Sequence, residues 1–292
     1  MGVRRAWPAG WTGEHLRHAA TLLRQGGNPV ARVYESIGAD FFLAISPGWL
    51  NLGLWHGPGA EDEAEAACRR LVQTVAAALP AGGVILDAGN GLGTQDPLIA
   101  ELARPRRLLA VNITEWQLAA GRDRLRQAAA APVAGDAARL PVASESVDGI
   151  ISVEAAFHFH SRAEFFAECV RVLRPGGVLT TSDIAVQRWP YNPVEALAGL
   201  TQLRVFGMRP SAALTAAQIV AAARAAGLTN VQVTMCGAEV IAPAIRLTKA
   251  RLAGPVSAPP GQRAAARLLL RQIDLLYRRH IIDYFLLRAT RP

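Results

Sequence analysis

An apolar run, Val84-Ile85-Leu86, passes directly into Asp87-Ala88-Gly89-Asn90-Gly91-Leu92-Gly93, and no other stretch constrains the chain as tightly. It reads as a buried strand ending in a tight turn. Glycines let the backbone take positive φ and let a ligand lie against bare main chain. In open α/β sheets ligands bind beyond the carboxyl ends of the strands, where this turn would stand. Dinucleotide-binding proteins use a related Gly-x-Gly-x-x-Gly turn. The difference here is Asp87: a carboxylate before the first glycine suits a ligand bearing an ammonium group and repels a pyrophosphate.

From about residue 80 onward, strand-like and helix-like segments alternate, as in a parallel sheet covered on both faces. Strands are expected at Val84 to Asp87, Leu108 to Asn112, Val133 to Ala134, Gly149 to Val153, Val178 to Asp183, Val231 to Met235 and Ile282 to Arg288. Thr215-Ala-Ala-Gln218 reads as a capping box opening a helix, and Gly227 closes it. Leu173-Arg-Pro-Gly-Gly177 reads as a sharp helix-to-strand turn. Three segments interrupt the alternation: residues 1–80, 186–212 and 237–280. The last contains a Gly/Pro-rich stretch, Gly254 to Gly261, expected to be flexible, then an arginine-rich amphipathic helix at roughly Gln262 to Arg279. Insertions beside a ligand-binding edge shape pockets or lids; the alternative for 262–279 is a helix that thickens the core.

At 292 residues, 51% hydrophobic and 18% charged, the chain has the composition of a globule with a sizeable core. No apolar run approaches the ~20 residues of a membrane helix, and the basic N-terminus lacks a following apolar core or cleavage signal, so a cytoplasmic protein is expected. Cys68, Cys169 and Cys236 have no paired spacing and read as buried thiols, which leaves neither a zinc site nor a disulfide framework. The net charge of +8 is almost entirely arginine, Lys249 being the single lysine. This cationic excess is spread rather than clustered, so it reflects compositional bias or an anionic small molecule more than nucleic acid.

Further motifs follow at fixed spacing. The second strand ends Leu109-Ala-Val-Asn-Ile-Thr-Glu-Trp-Gln117, and the third leads into Gly135-Asp136-Ala-Ala-Arg-Leu-Pro141. The fourth runs Val147-Asp-Gly-Ile-Ile-Ser-Val-Glu154, and Val172-Leu-Arg-Pro-Gly-Gly-Val-Leu179 enters the fifth. In order and spacing, residues 80–185 resemble the class I S-adenosylmethionine (SAM)-dependent methyltransferases. The resemblance implies a Rossmann-like α/β fold: a mostly parallel seven-stranded sheet, helices on both faces and a helical lid formed by residues 1–80 over a SAM-binding domain at 81–292. It also implies SAM as cofactor, with S-adenosylhomocysteine as product. Asp87 and the backbone of Gly89, Gly91 and Gly93 would hold the amino-acid end. Asn112 stands where most relatives have an acidic residue for the ribose; relatives with Thr or Asn there keep a glutamine five residues on, matched by Gln117. Asp136 would accept from the adenine amino group with Ala137 beside the ring, and Glu154 joins the cofactor set.

Tyr34-Glu-Ser-Ile-Gly-Ala-Asp-Phe-Phe42 and Asn51-Leu-Gly-Leu-Trp55 look like the cofactor-covering elements of the small-molecule branch, among natural-product sugar and macrolide O-methyltransferases, tocopherol-type C-methyltransferases and cyclopropane synthases. By that likeness Tyr34 and Asn51 are cofactor contacts and Trp55 a wall near the sulfonium; the alternative is a hydrophobic helix pair. His158 is the general-base candidate, with Asp183 orienting its imidazole and His160 in reserve. The favoured activity is O-methylation of a hydroxylated sugar, macrolide or polyketide. Alternatives are C-methylation of a prenyl diphosphate gripped by Arg188, Trp189, Tyr191, Arg204, Phe206 and Arg209, and a SAM-binding protein that transfers no methyl. No nucleic-acid or membrane partner and no metal are expected; a homodimer is compatible with the sequence.

Overall fold

The computed structural model describes residues 44–254 and 260–292. Tyr34 and most of the Gly254 to Gly261 stretch lie outside these residues. Seven strands, β1 (Val84–Ala88), β2 (Arg107–Asn112), β3 (Ala130–Ala134), β4 (Val147–Val153), β5 (Leu173–Val186), β6 (Thr229–Met235) and β7 (Ile282–Thr290), form one sheet in the order β3-β2-β1-β4-β5-β7-β6. The strands at the centre, β1 and β4, are almost continuously apolar and buried on both faces, as strands between two helical layers must be. Six strands run one way. β7 runs the other, pairing antiparallel with both β5 and β6, so the sheet is mixed.

Side-chain alternation splits the interior into two cores. Ile85 and Ile151 face one side with Leu71, Val72, Ile99 and Val240. Leu86 and Ile150 face the other with Phe165, Phe166, Ile219 and Phe285. The helices on the first side include α1 (Ala64–Ala76), α2 (Asp96–Ala103) and α8 (Gly237–Ala253), numbered in chain order with α3 (Glu115–Ala120), α4 (Arg122–Gln127), α5 (Arg162–Val172), α6 (Pro193–Val205), α7 (Ala216–Ala225) and α9 (Pro260–Arg278). α5 and α7 cover the second side. In α1, Cys68, Leu71, Val72 and Val75 recur at helical spacing and are all buried. The capping box at Thr215 and Gln218 is formed, and Gly227 ends α7 at φ +104°. The Leu173 to Gly177 turn is a large bulge: three residues of β4 (147–149) stand opposite six of β5 (173–178), and Gly176 sits at φ +78°. All three cysteines are buried thiols. Among the described residues, no helix is long and apolar enough to cross a membrane.

This order creates the functional edge. From β1 the chain crosses to β2 and β3 on one side, then returns to β4 on the other. The loops after β1 and β4 therefore part above the sheet, and the crevice between them lies at the carboxyl ends of the strands.

Candidate functional site

The crevice holds a cavity of about 330 Å³. Its wall brings together Asn51, Gly89, Gly91, Asn112, Gln117, Asp136, Ala137, Glu154 and His158 from segments distant in sequence. Glycine is required at the floor. Gly89 has φ +81°, and a Cβ there would stand 2.4 Å from the Ala155 Cβ, so a side chain would force the β1 and β4 loops apart. Gly93 also has positive φ but faces Leu125 instead of the cavity.

Asp87 lies behind the glycine turn, fully buried and off the cavity wall. One carboxylate oxygen accepts from Gln95 Nε2 at 2.6 Å; the other, Oδ1, is buried with no hydrogen-bond partner. Burial disfavours the ionised form and raises this carboxyl to about 7, against the Gln95 hydrogen bond. Asp96, at the start of α2, is buried beside it, accepts from Asn90 Nδ2 at 3.2 Å, and is raised well above its ordinary range by burial and then by Asp87. Two acids thus support the turn from below. At the end of β2, Asn112 Nδ2 reaches Gln117 Oε1 at 3.0 Å, the Gly91 carbonyl at 3.2 Å and Asn90 Oδ1 at 3.3 Å. The amide and the glutamine five residues on are therefore one unit. Past β3, Asp136 Oδ1 accepts from the Ala138 N–H at 2.9 Å, which fixes the loop that carries Ala137.

Glu154 occupies the end of β4 with left-handed backbone, φ +48°. Its Oε1 accepts from the Leu52 N–H at 2.8 Å and from the Tyr284 hydroxyl at 2.9 Å; the Tyr284 oxygen also lies 2.9 Å from Ser182 Oγ. This side chain fastens residues 51–55 to the sheet. Burial raises its carboxyl to about 8, opposed by the Leu52 and Tyr284 hydrogen bonds. Asn51 is buried on the wall, its Oδ1 turned back to the Gly53 N–H at 3.0 Å. Trp55 is not on the wall. It is 2% exposed within the core, its indole N–H bonded to the Leu52 carbonyl, and the tryptophan that lines the cavity is Trp49.

His158 ends a short 3₁₀ turn (Ala156–His158) and lines the cavity. Desolvation lowers its pKa to about 3, with the Arg162 charge in the same direction and a hydrogen bond with the Phe206 backbone opposing. Asp183 does not orient it. The Asp183 carboxylate pairs with Arg162 at 2.8 Å, both side chains sealed from solvent, because α5 carries Arg162 across the end of β5. An arginine there neutralises the buried acid that the sequence had offered to the imidazole. His160 lines the cavity as well.

Of the six residues considered for a diphosphate, Arg209 alone is on the wall. Arg188 is held by both oxygens of Glu195, at 2.9 and 3.1 Å, and lies over the Tyr191 ring. Wall residues not singled out from sequence include Leu50, Thr94, Gln95 and Thr114. Gln95 had a signal, since it lies within the glycine-turn segment. The described residues contain no group of His, Cys, Asp and Glu able to hold a metal ion.

Residues 86–181, a third of the chain, match a family model described as a methyltransferase domain. The chain is 32% identical over 174 residues to erythromycin 3''-O-methyltransferase of Saccharopolyspora erythraea, covering 57% of this chain and 56% of that protein. It is 30% identical over 176 residues to O-methyltransferase resE of Aspergillus sclerotiorum, covering 58% and 64%. The chain thus spans between half and two thirds of the length of these relatives. Among solved structures, a putative sarcosine dimethylglycine methyltransferase from Galdieria sulphuraria superposes with a TM-score of 0.73 at 19% identity, covering 86% of this chain and 96% of that one. Residues 86–181 accordingly match a methyltransferase domain, and the chain is similar in sequence to O-methyltransferases and in fold to solved methyltransferases.

Proposed function

We propose that this protein is a SAM-dependent methyltransferase that methylates a hydroxyl group of a small natural product such as a sugar, macrolide or polyketide. The observation that carries the reading is the assembly, around one cavity, of the glycine turn, Asn51, the Asn112–Gln117 pair and the Asp136–Ala137 loop, above an Asp87 oxygen that has no partner. That orphaned oxygen fits an ammonium group. When bound, SAM supplies an electrophilic methyl on a sulfonium. Asp87 and the Gly89 to Gly91 main chain would hold its amino-acid end, Asn112 and Gln117 its ribose, Asp136 and Ala137 its adenine.

Donor activation is not demanded of the chain; alignment of the acceptor is. In-line placement contributes up to roughly 7–11 kcal/mol in favourable cases. His158 stands on the wall and is the candidate to take the hydroxyl proton as transfer proceeds, a role worth ~10²- to 10⁴-fold for a positioned base. O-transfer is favoured over prenyl C-transfer by the O-methyltransferase relatives and by the consumption of Arg188 in the Glu195 pair. The test is to incubate the chain with SAM and a panel of hydroxylated polyketides and glycosides. Acceptor-dependent S-adenosylhomocysteine and a product heavier by one methyl are expected. Binding of SAM without turnover on any acceptor would favour the non-transferring alternative.

A further inference from the structure

The charges on the cavity wall are sorted. Acidic side chains, Asp136 and Glu154 with Asp87 behind the turn, belong to the part assigned above to the cofactor. The other part, formed by residues 158–160 and the turn after α6, carries His158, His160 and Arg209 with Gly207 and Phe159, and no carboxylate. The hydrogen bond between His158 and the Phe206 backbone holds these two segments together.

Arg209 differs from Arg162 and Arg188. Arg162 is neutralised by Asp183 and Arg188 by Glu195. Arg209 forms no side-chain hydrogen bond or ion pair with another described residue. Its main chain is nevertheless fixed: the Arg209 carbonyl accepts from the Ala212 N–H at 2.9 Å, and Gly207, at φ +64°, turns the chain in toward the cavity. The result is an exposed, uncompensated guanidinium on a positioned backbone, lining a partly apolar cavity. A guanidinium there presents paired donors matched to a carboxylate or phosphate.

We propose that Arg209, with His160 on the same cavity wall, forms an anion subsite, and that the acceptor carries a carboxylate or phosphate group in addition to the hydroxyl that is methylated. This rests on the reading that the opposite part of the cavity holds the cofactor. One guanidinium suits one anionic group, and a neutral macrolide or glycoside would leave Arg209 unanswered.

The test uses the chain saturated with S-adenosylhomocysteine and two fluorescent probes of the same apolar body, anilinonaphthalene sulfonate and its uncharged parent anilinonaphthalene. The sulfonate is expected to bind about tenfold or more tighter than the parent, the effect of a charged hydrogen bond. Arg209→Gln should abolish that preference, while Arg204→Gln, at an arginine likewise exposed but off the wall, should leave it. Equal binding of the two probes, or a preference that survives Arg209→Gln, overturns the subsite. Calorimetry with S-adenosylhomocysteine separates the two readings. Heat without an Arg209-dependent preference overturns the subsite alone; absence of heat overturns the cofactor assignment on which it rests.

Discussion

His158 is legible as a candidate from sequence, but its environment is not. Spacing puts a histidine after the fourth strand; only the folded chain shows that Asp183 is paired elsewhere, because Arg162, eleven residues before the start of β5, crosses to claim it. With its pKa lowered to about 3, the imidazole is the neutral form throughout the working range. We expect kcat to show no acid limb at the ordinary histidine value near 6.5, and His158→Ala to lower kcat by ~10²- to 10⁴-fold with S-adenosylhomocysteine affinity unchanged. A pH–rate profile and a titration of the variant check both. Asp183→Asn belongs to stability: it leaves Arg162 buried without its partner, at a cost of about 3–5 kcal/mol in denaturant unfolding.

Asp87 makes a second residue-level prediction. Its carboxyl, raised by burial to about 7, should ionise fully against an ammonium. Ligand binding near neutral pH should then release protons, seen as a binding enthalpy that varies with buffer ionisation enthalpy. Asp87→Asn should remove that dependence and weaken binding about tenfold or more. The sign for stability follows from the same shift. Asp87 and Glu154 both have folded values above their unfolded ones, so their stabilisation is complete below about pH 4 and is lost as pH rises through about 7 and 8.

Among elements, the strands of the sheet were readable because β1, β2 and β4 are short apolar runs bounded by turns, and their interior position demands such runs. Boundaries were less so: β3 begins at Ala130, where small residues give no periodic signal. The segment at 51–55 shows why local likeness underdetermines contact. Trp55 matches the expected motif, yet the left-handed Gly53, whose Cβ would meet Ala67, turns the indole into the core and leaves Asn51 and Trp49 on the wall. Glu154 and Tyr284 hold this element in place across 102 and 130 residues, a linkage no sequence spacing reveals. Removing the hydroxyl in Tyr284→Phe should cost about 1 kcal/mol of stability and weaken S-adenosylhomocysteine binding. Glu154→Gln keeps an acceptor for both donors and should bind the ligand better than Glu154→Ala. Equal affinity of the two variants would show that the linkage does not shape the site.

For the molecule as a whole, seven strands and helices on both faces follow from the alternation of segments, and the switch point follows from the order in which they pair. The reversal of β7 was not legible: a strand's sequence carries its burial but not its direction, and β7, apolar and between two neighbours, satisfies the same pattern either way up. The assembled site is one consequence of that order, since loops after β1, β2, β3 and β4 meet only at the carboxyl edge. The most direct measurement is therefore isothermal titration of the folded chain with SAM and with S-adenosylhomocysteine. One site per chain, weakened by Gly89→Ala, whose new Cβ would press on Ala155, is the result expected; a folded chain that binds neither nucleoside contradicts the account.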